Sequence, residues 1–127
     1  MYTKRNVFLL GENQECEEVV SFLKRYFESE KKSFQYSASH DYDELYEQIV
    51  DASPSLVIVL ADGANGMECV YQAKKYDYNM TVFWFSNDRN FSIHSHRLEC
   101  AYFATKPLTF EILYKAFLRC KSLGIFI

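Results

Sequence analysis

Four polar residues stand directly behind apolar runs in this 127-residue chain. Glu12 follows Val7 to Leu10 and Gly11, Asp62 follows Leu56 to Leu60, Ser86 follows Thr81 to Phe85, and Lys106 follows Ala101 to Thr105. Carboxylates, a hydroxyl and an ammonium can bind ions or carry a modification once a fold brings them together. A second set, His94, His96 and Cys100, has the ligand types of a zinc site. On a helix His94 and His96 diverge, and only Cys100 lies at i+4 from His96. No further ligands accompany them, so no metal is expected there. His40 stands alone before a helix and reads as a cap neighbour rather than a base. Phosphate-cradling glycine motifs and Gly-x-Ser-x-Gly are absent, and Glu12 in the first loop would repel phosphate. No enzyme activity and no cofactor are expected.

The elements that must position these groups are legible from periodicity. Val7 to Leu10 ends at Gly11 as a first strand. Cys16, Val19, Val20, Leu23, Tyr26 and Phe27 form one helical stripe. Glu15, Glu17 and Glu18 crowd that helix's start and Lys24 and Arg25 its end, as the macrodipole favours. Ser33 to Ser37 alternates weakly as a second, edge strand. Asp41 and Glu44 have capping-box spacing before a helix with the stripe Tyr42, Leu45, Tyr46, Ile49 and Val50. Pro54 opens the central stretch, where Leu56 to Leu60 is unbroken apolar, as in a strand covered on both faces.

Asp62-Gly63 and Asn65-Gly66 read as turn pairs, and a third helix runs from about Met67 to Tyr76. Thr81 to Phe85 is a fourth strand. Phe91 to Leu98 carries a poor helical stripe, predicting a short fourth helix. Ala101 to Thr105 is a fifth strand, and Thr109 caps a last helix with Ile112, Leu113, Ala116, Phe117 and Cys120 inward. Strands alternating with helices imply an α/β fold, a flavodoxin-like (βα)5 three-layer sandwich with a parallel five-stranded sheet of order 2-1-3-4-5. Its switch point sets Gly11, Glu12, Leu60, Asp62, Ser86 and Lys106 around one crevice, where open α/β sheets bind ligands.

Composition bounds the alternatives. A hydrophobic fraction of 49% and 24% charged residues suit one folded domain, read as residues 1-122 with an apolar tail, 123-127. That tail, Leu123 to Ile127, is expected to pack on the domain or a partner, or to begin a linker to an output domain. Net charge of −3 without a basic stripe disfavours direct nucleic-acid binding. No apolar stretch is long enough for a membrane span, and only four apolar residues follow Lys4 and Arg5 and Asn6 before Gly11, too few for a signal-peptide core. Cys16, Cys69, Cys100 and Cys120 are widely spaced and read as small buried hydrophobes. A cytoplasmic location is expected.

The chain resembles a two-component response-regulator receiver domain, CheY-like, over roughly residues 5–121. The likeness is carried by Pro54-Ser55-Leu56-Val57-Ile58-Val59, by Asn65-Gly66-Met67-Glu68, by Ser86, and by Tyr102-Phe103-Ala104-Thr105-Lys106-Pro107. Such a domain carries an acidic pair after strand 1, a phosphoaccepting aspartate after strand 3, a Ser/Thr after strand 4 and a lysine after strand 5. Mg²⁺ takes oxygen ligands there, and hydroxyl and ammonium bind the phosphoryl oxygens. Here Ser86 and Lys106 match, the acidic pair is Gly11-Glu12, and the phosphoacceptor position is Leu60, which is no nucleophile.

The loop onward to Gly66 is shorter than that family's by about two residues, so Asp62 lies displaced from near-attack geometry. The resemblance therefore implies a degenerate pseudo-receiver, a non-catalytic signal-transduction domain that acts by protein contact. The alternative is a phosphoaccepting receiver using Asp62, with Mg²⁺ held by Glu12 and Asp62. Phe103 matches the aromatic switch position. The partner face that the resemblance implies, for a protein partner or a homodimer, is helix 4–strand 5–helix 5.

Overall fold

The structure is a computed structural model that describes residues 5–127; residues 1–4, including Lys4, lie outside the described residues. Five strands alternate with five helices: β1 (Asn6–Leu10), α1 (Asn13–Ser29), β2 (Gln35–Ser39), α2 (Leu45–Ala52), β3 (Leu56–Val59), α3 (Gly63–Tyr76), β4 (Thr81–Ser86), α4 (Ser92–Arg97), β5 (Tyr102–Thr105) and α5 (Phe110–Ser122). A 3₁₀ turn, Arg89–Phe91, precedes α4. All pairings are parallel, in the order β2-β1-β3-β4-β5, the predicted flavodoxin-like topology.

The apolar run of β3 is buried on both faces, and its pleat divides the core in two. Leu56, Ile58 and Leu60 join α1 and α5, whereas Val57, Val59 and Ala61 join α2 and α3. All six stripe positions of α1 are buried. The high aromatic content is spent largely between α1 and α5, where Tyr26 stacks on Phe117 with centroids 3.9 Å apart and Phe27 and Phe83 meet Phe117 edge-on. The tail folds back. Ile125 N donates to Cys120 O at 2.9 Å, and Ile125 and Ile127 pack on the α1/α5 core while Phe126 stays exposed.

Several local expectations are corrected. β2 is Gln35–Ser39 rather than Ser33 to Ser37, because Gln35 N is the group that reaches Arg5 O, at 2.8 Å. No capping box forms. Asp41 Oδ1 accepts from Asp43 N at 3.0 Å, Glu44 takes a left-handed conformation (φ 53°), and α2 begins only at Leu45, leaving Tyr42 outside it and Val50 exposed. α1 begins at Asn13 and runs to Ser29, so Lys24 and Arg25 lie before its last turn; Arg25 instead stacks on Phe110, 4.0 Å from the ring centroid. Asn65-Gly66 is not a turn but part of α3, which starts at Gly63 (φ 58°), separated from the end of β3 by three residues. α4 is short, as its weak stripe predicts, and Thr109 Oγ1 caps α5 by accepting from Ile112 N at 3.2 Å.

Candidate functional site

The carboxyl ends of β1, β3, β4 and β5 converge on Lys106. Its Nζ donates to Leu60 O at 2.6 Å and pairs with Glu15 Oε2 at 2.7 Å and Asp62 Oδ1 at 3.1 Å. Only 16% of the lysine side chain is exposed, so these contacts are better shielded than a surface ion pair. Asp62 Oδ1 also accepts from Asn87 N at 2.8 Å, which ties the start of α3 to the loop after β4. Ser86 is fully buried; its Oγ accepts from Asp88 N at 3.2 Å, and its carbonyl accepts from Lys106 N at 2.9 Å.

Glu12, expected in this constellation, is the exposed N-cap residue of α1, and among the described residues its carboxylate makes no ion pair. Glu15, in the first turn of the helix, takes the place beside Lys106. By its position in the first turn, where the structure also has it, Glu15 reads from sequence only as a dipole-complementing charge. The signal was spacing: Glu15 precedes the buried Val19 by four residues and so shares the helix face that borders the crevice.

The floor of the site is closed by backbone proximity. Leu60 N donates to Leu10 O at 2.7 Å, and a Cβ on Gly11 would stand 2.6 Å from Leu60 Cβ. The Cβ at position 60 thus requires glycine at position 11. Two side-chain-bearing residues cannot occupy these positions without moving the strand ends apart. Leu60 itself is buried in the α1/α5 core. Beside it lies an open groove of about 260 Å³ lined by Glu15, Glu18, Val19, Leu60, Lys106, Pro107 and Leu108.

On the opposite face Trp84 Nε1 donates to Ala61 O at 3.1 Å, and the indole meets Phe91 and Phe103 edge-on, with centroids 5.7 Å and 5.4 Å away. Phe103 is partly buried within this cluster. The close seat of the indole explains Gly66. A Cβ there would meet Ala61 O at 2.2 Å and Trp84 Nε1 at 2.6 Å.

Among the described residues no three His, Cys, Asp or Glu side chains gather as a metal site, and His94, His96 and Cys100 are not brought together as one. The four cysteines are free thiols. Burial pushes Cys69 and Cys100 up to about 12; burial, with the Glu15 carboxylate nearby, pushes Cys16 up to about 11, and burial alone takes Cys120 to about 11. As protonated thiols they are poor nucleophiles and poor metal ligands. No helix in the described residues is long and apolar enough to cross a membrane.

No family model matches the sequence, and no curated protein matches it. Solved structures do match the fold. The chain is similar to the chemotaxis protein CheY4 of Vibrio cholerae, with a TM-score of 0.72 and 13% identity over 92% of this chain and 98% of that one. A response regulator from Desulfuromonas acetoxidans superposes with a TM-score of 0.71 and 17% identity, covering 95% of this chain and 98% of that one. The signal receiver domain of a DNA-binding response regulator from Colwellia psychrerythraea gives 0.72 and 15%, covering 94% and 99%. At these identities the likeness establishes a CheY-like receiver fold.

Proposed function

We propose that this domain of receiver fold is a pseudo-receiver, a non-catalytic regulatory module that works through protein contact and is not phosphorylated. The observation that carries this reading is the contact of Gly11 with Leu60. The positions at which receivers hold carboxylates are occupied by a residue without a side chain and by a buried aliphatic one, and a Cβ restored at Gly11 would collide with that of Leu60. The donor set does not fit Mg²⁺. Leu60 offers only its carbonyl, already taken by Lys106, and Asp62 Oδ1 is committed to Lys106 and Asn87 N. Glu15 and Asp62 neutralise the lysine that would otherwise receive a phosphoryl oxygen.

In this reading the ion cluster serves as a structural clasp between α1, β3 and β5, and signalling passes through the α4–β5–α5 face. Exposed Ile93 supplies an apolar anchor on α4, and Phe103 couples that face to Trp84 and the end of β3. A protein partner docking there is the expected ligand of the domain.

The competing reading, phosphorylation of Asp62, is favoured by the contact of Asp62 with Lys106 and makes an opposite prediction. Trp84 is the sole tryptophan and is bonded to Ala61, next to Asp62, so its fluorescence reports on the site. Titration with Mg²⁺ and beryllofluoride is expected to leave the emission unchanged through the millimolar range. A saturable response, lost in Asp62→Asn, would overturn the pseudo-receiver reading.

A further inference from the structure

β2 ends the sheet, and ladder geometry decides which of its backbone groups are free. Gln35 N donates to Arg5 O at 2.8 Å and Ser39 O accepts from Gly11 N at 3.0 Å. In the parallel register with β1, residues 35, 37 and 39 therefore face inward, and the N–H and C=O groups of Tyr36 and Ala38 point away from the sheet. Both residues are exposed, and they border an open groove of about 340 Å³ whose other wall is α1, including Glu17, Val20 and Lys24. Edge strands are commonly blunted by lysine, proline or a bulge, and Gln-Tyr-Ser-Ala-Ser carries none of these.

We propose that a second copy of this chain pairs with β2 in antiparallel fashion, about a twofold axis through Ser37, joining the two sheets into one. Two patterns, one on β2 and one on α1, are self-complementary under such a twofold. Tyr36 falls opposite Ala38 of the second copy in a hydrogen-bonded pair, so all four outward donors are satisfied and each large ring lies over a methyl group. On α1, Glu17 and Lys24 are equidistant from the Val20–Ser21 midpoint and line the same groove, so antiparallel apposition of the two helices sets each carboxylate against an ammonium. Parallel pairing would set like charge against like. The twofold arrangement uses up the β2 edge of both copies, so this contact closes at two copies, and it leaves the α4–β5–α5 face of each copy free at the far side of the sheet.

Sedimentation of the full chain over a concentration series tests this. A reversible dimer that weakens with added salt is expected. Glu17→Lys and Lys24→Glu should each weaken it about tenfold, since each contact occurs twice, and the double reversal should restore it to within roughly threefold. Ala38→Pro removes an N–H that the protein's own sheet does not use, and it should weaken the dimer about a hundredfold or more while leaving the circular dichroism spectrum unchanged. Ile93→Glu should leave the dimer intact. Amide exchange at Tyr36 and Ala38 in the unmodified chain should slow as concentration rises, a readout independent of any variant. A monomer at every concentration, a dimer indifferent to Ala38→Pro, or a double reversal without rescue would overturn the proposal.

Discussion

Gly66→Ala is expected to destabilise the protein by about 3–5 kcal/mol and to lower its melting temperature by roughly 10–20 °C. The added methyl group would stand 2.2 Å from Ala61 O and 2.6 Å from Trp84 Nε1, and neither neighbour is free to yield. Ala61 O is backbone at the end of β3, and Trp84 is fully buried and wedged between Phe91 and Phe103. Displacing the indole costs packing and also breaks its hydrogen bond to Ala61, leaving a buried N–H unpaired. Helix propensity alone would favour alanine by up to about 1 kcal/mol, so the sign of the effect separates the two influences. Thermal melts followed by circular dichroism decide it. An unchanged or raised melting point would mean that the indole has room to move.

Gly11→Asp, which restores a carboxylate to the end of β1, is expected to cost about 2–4 kcal/mol rather than to revive a site. The cause is the 2.6 Å approach of the new Cβ to Leu60 Cβ, in a place where β1 and β3 are drawn together by the bond of Leu60 N to Leu10 O. The penalty belongs to the pair, so it should shrink in a Leu60→Gly background. A double-mutant cycle by urea denaturation should give a coupling of about 1–3 kcal/mol. Additive losses would show that the two positions are independent, and the argument for mutual closure would fall.

Much of this architecture was legible in the sequence because burial imposes strong periodicity. The unbroken Leu56 to Leu60 run announced a doubly covered strand, and the α1 stripe named all six residues that the helix buries. What escaped were boundaries set by short-range geometry. Asp41 and Glu44 have the spacing of a capping box, yet Asp41 engages Asp43 and Glu44 turns left-handed, so the helix starts after both. Asn65-Gly66 looks like a turn, but its glycine answers a tertiary demand, the indole of Trp84, that no local pattern reveals.

The site was half legible for the same reason. Lys106, Asp62 and Ser86 were placed by the strand order, since each lies at or just beyond the carboxyl end of a strand. Glu15 was missed because the helix dipole already accounts for an acid in a first turn, whereas its pairing with Lys106 is a tertiary contact between α1 and the end of β5. The substitution of Leu60 could be read as the loss of a nucleophile. That it also closes the space above Gly11 is a distance between two strands, and only the fold supplies it.

The most direct test of the central claim is intact-mass spectrometry of the protein after incubation with a small phosphodonor and Mg²⁺. The pseudo-receiver account predicts an unchanged mass, with Asp62→Asn indistinguishable from the unmodified chain. A gain of one phosphoryl group that Asp62→Asn abolishes would contradict it, and would make Asp62 a nucleophile served by Lys106.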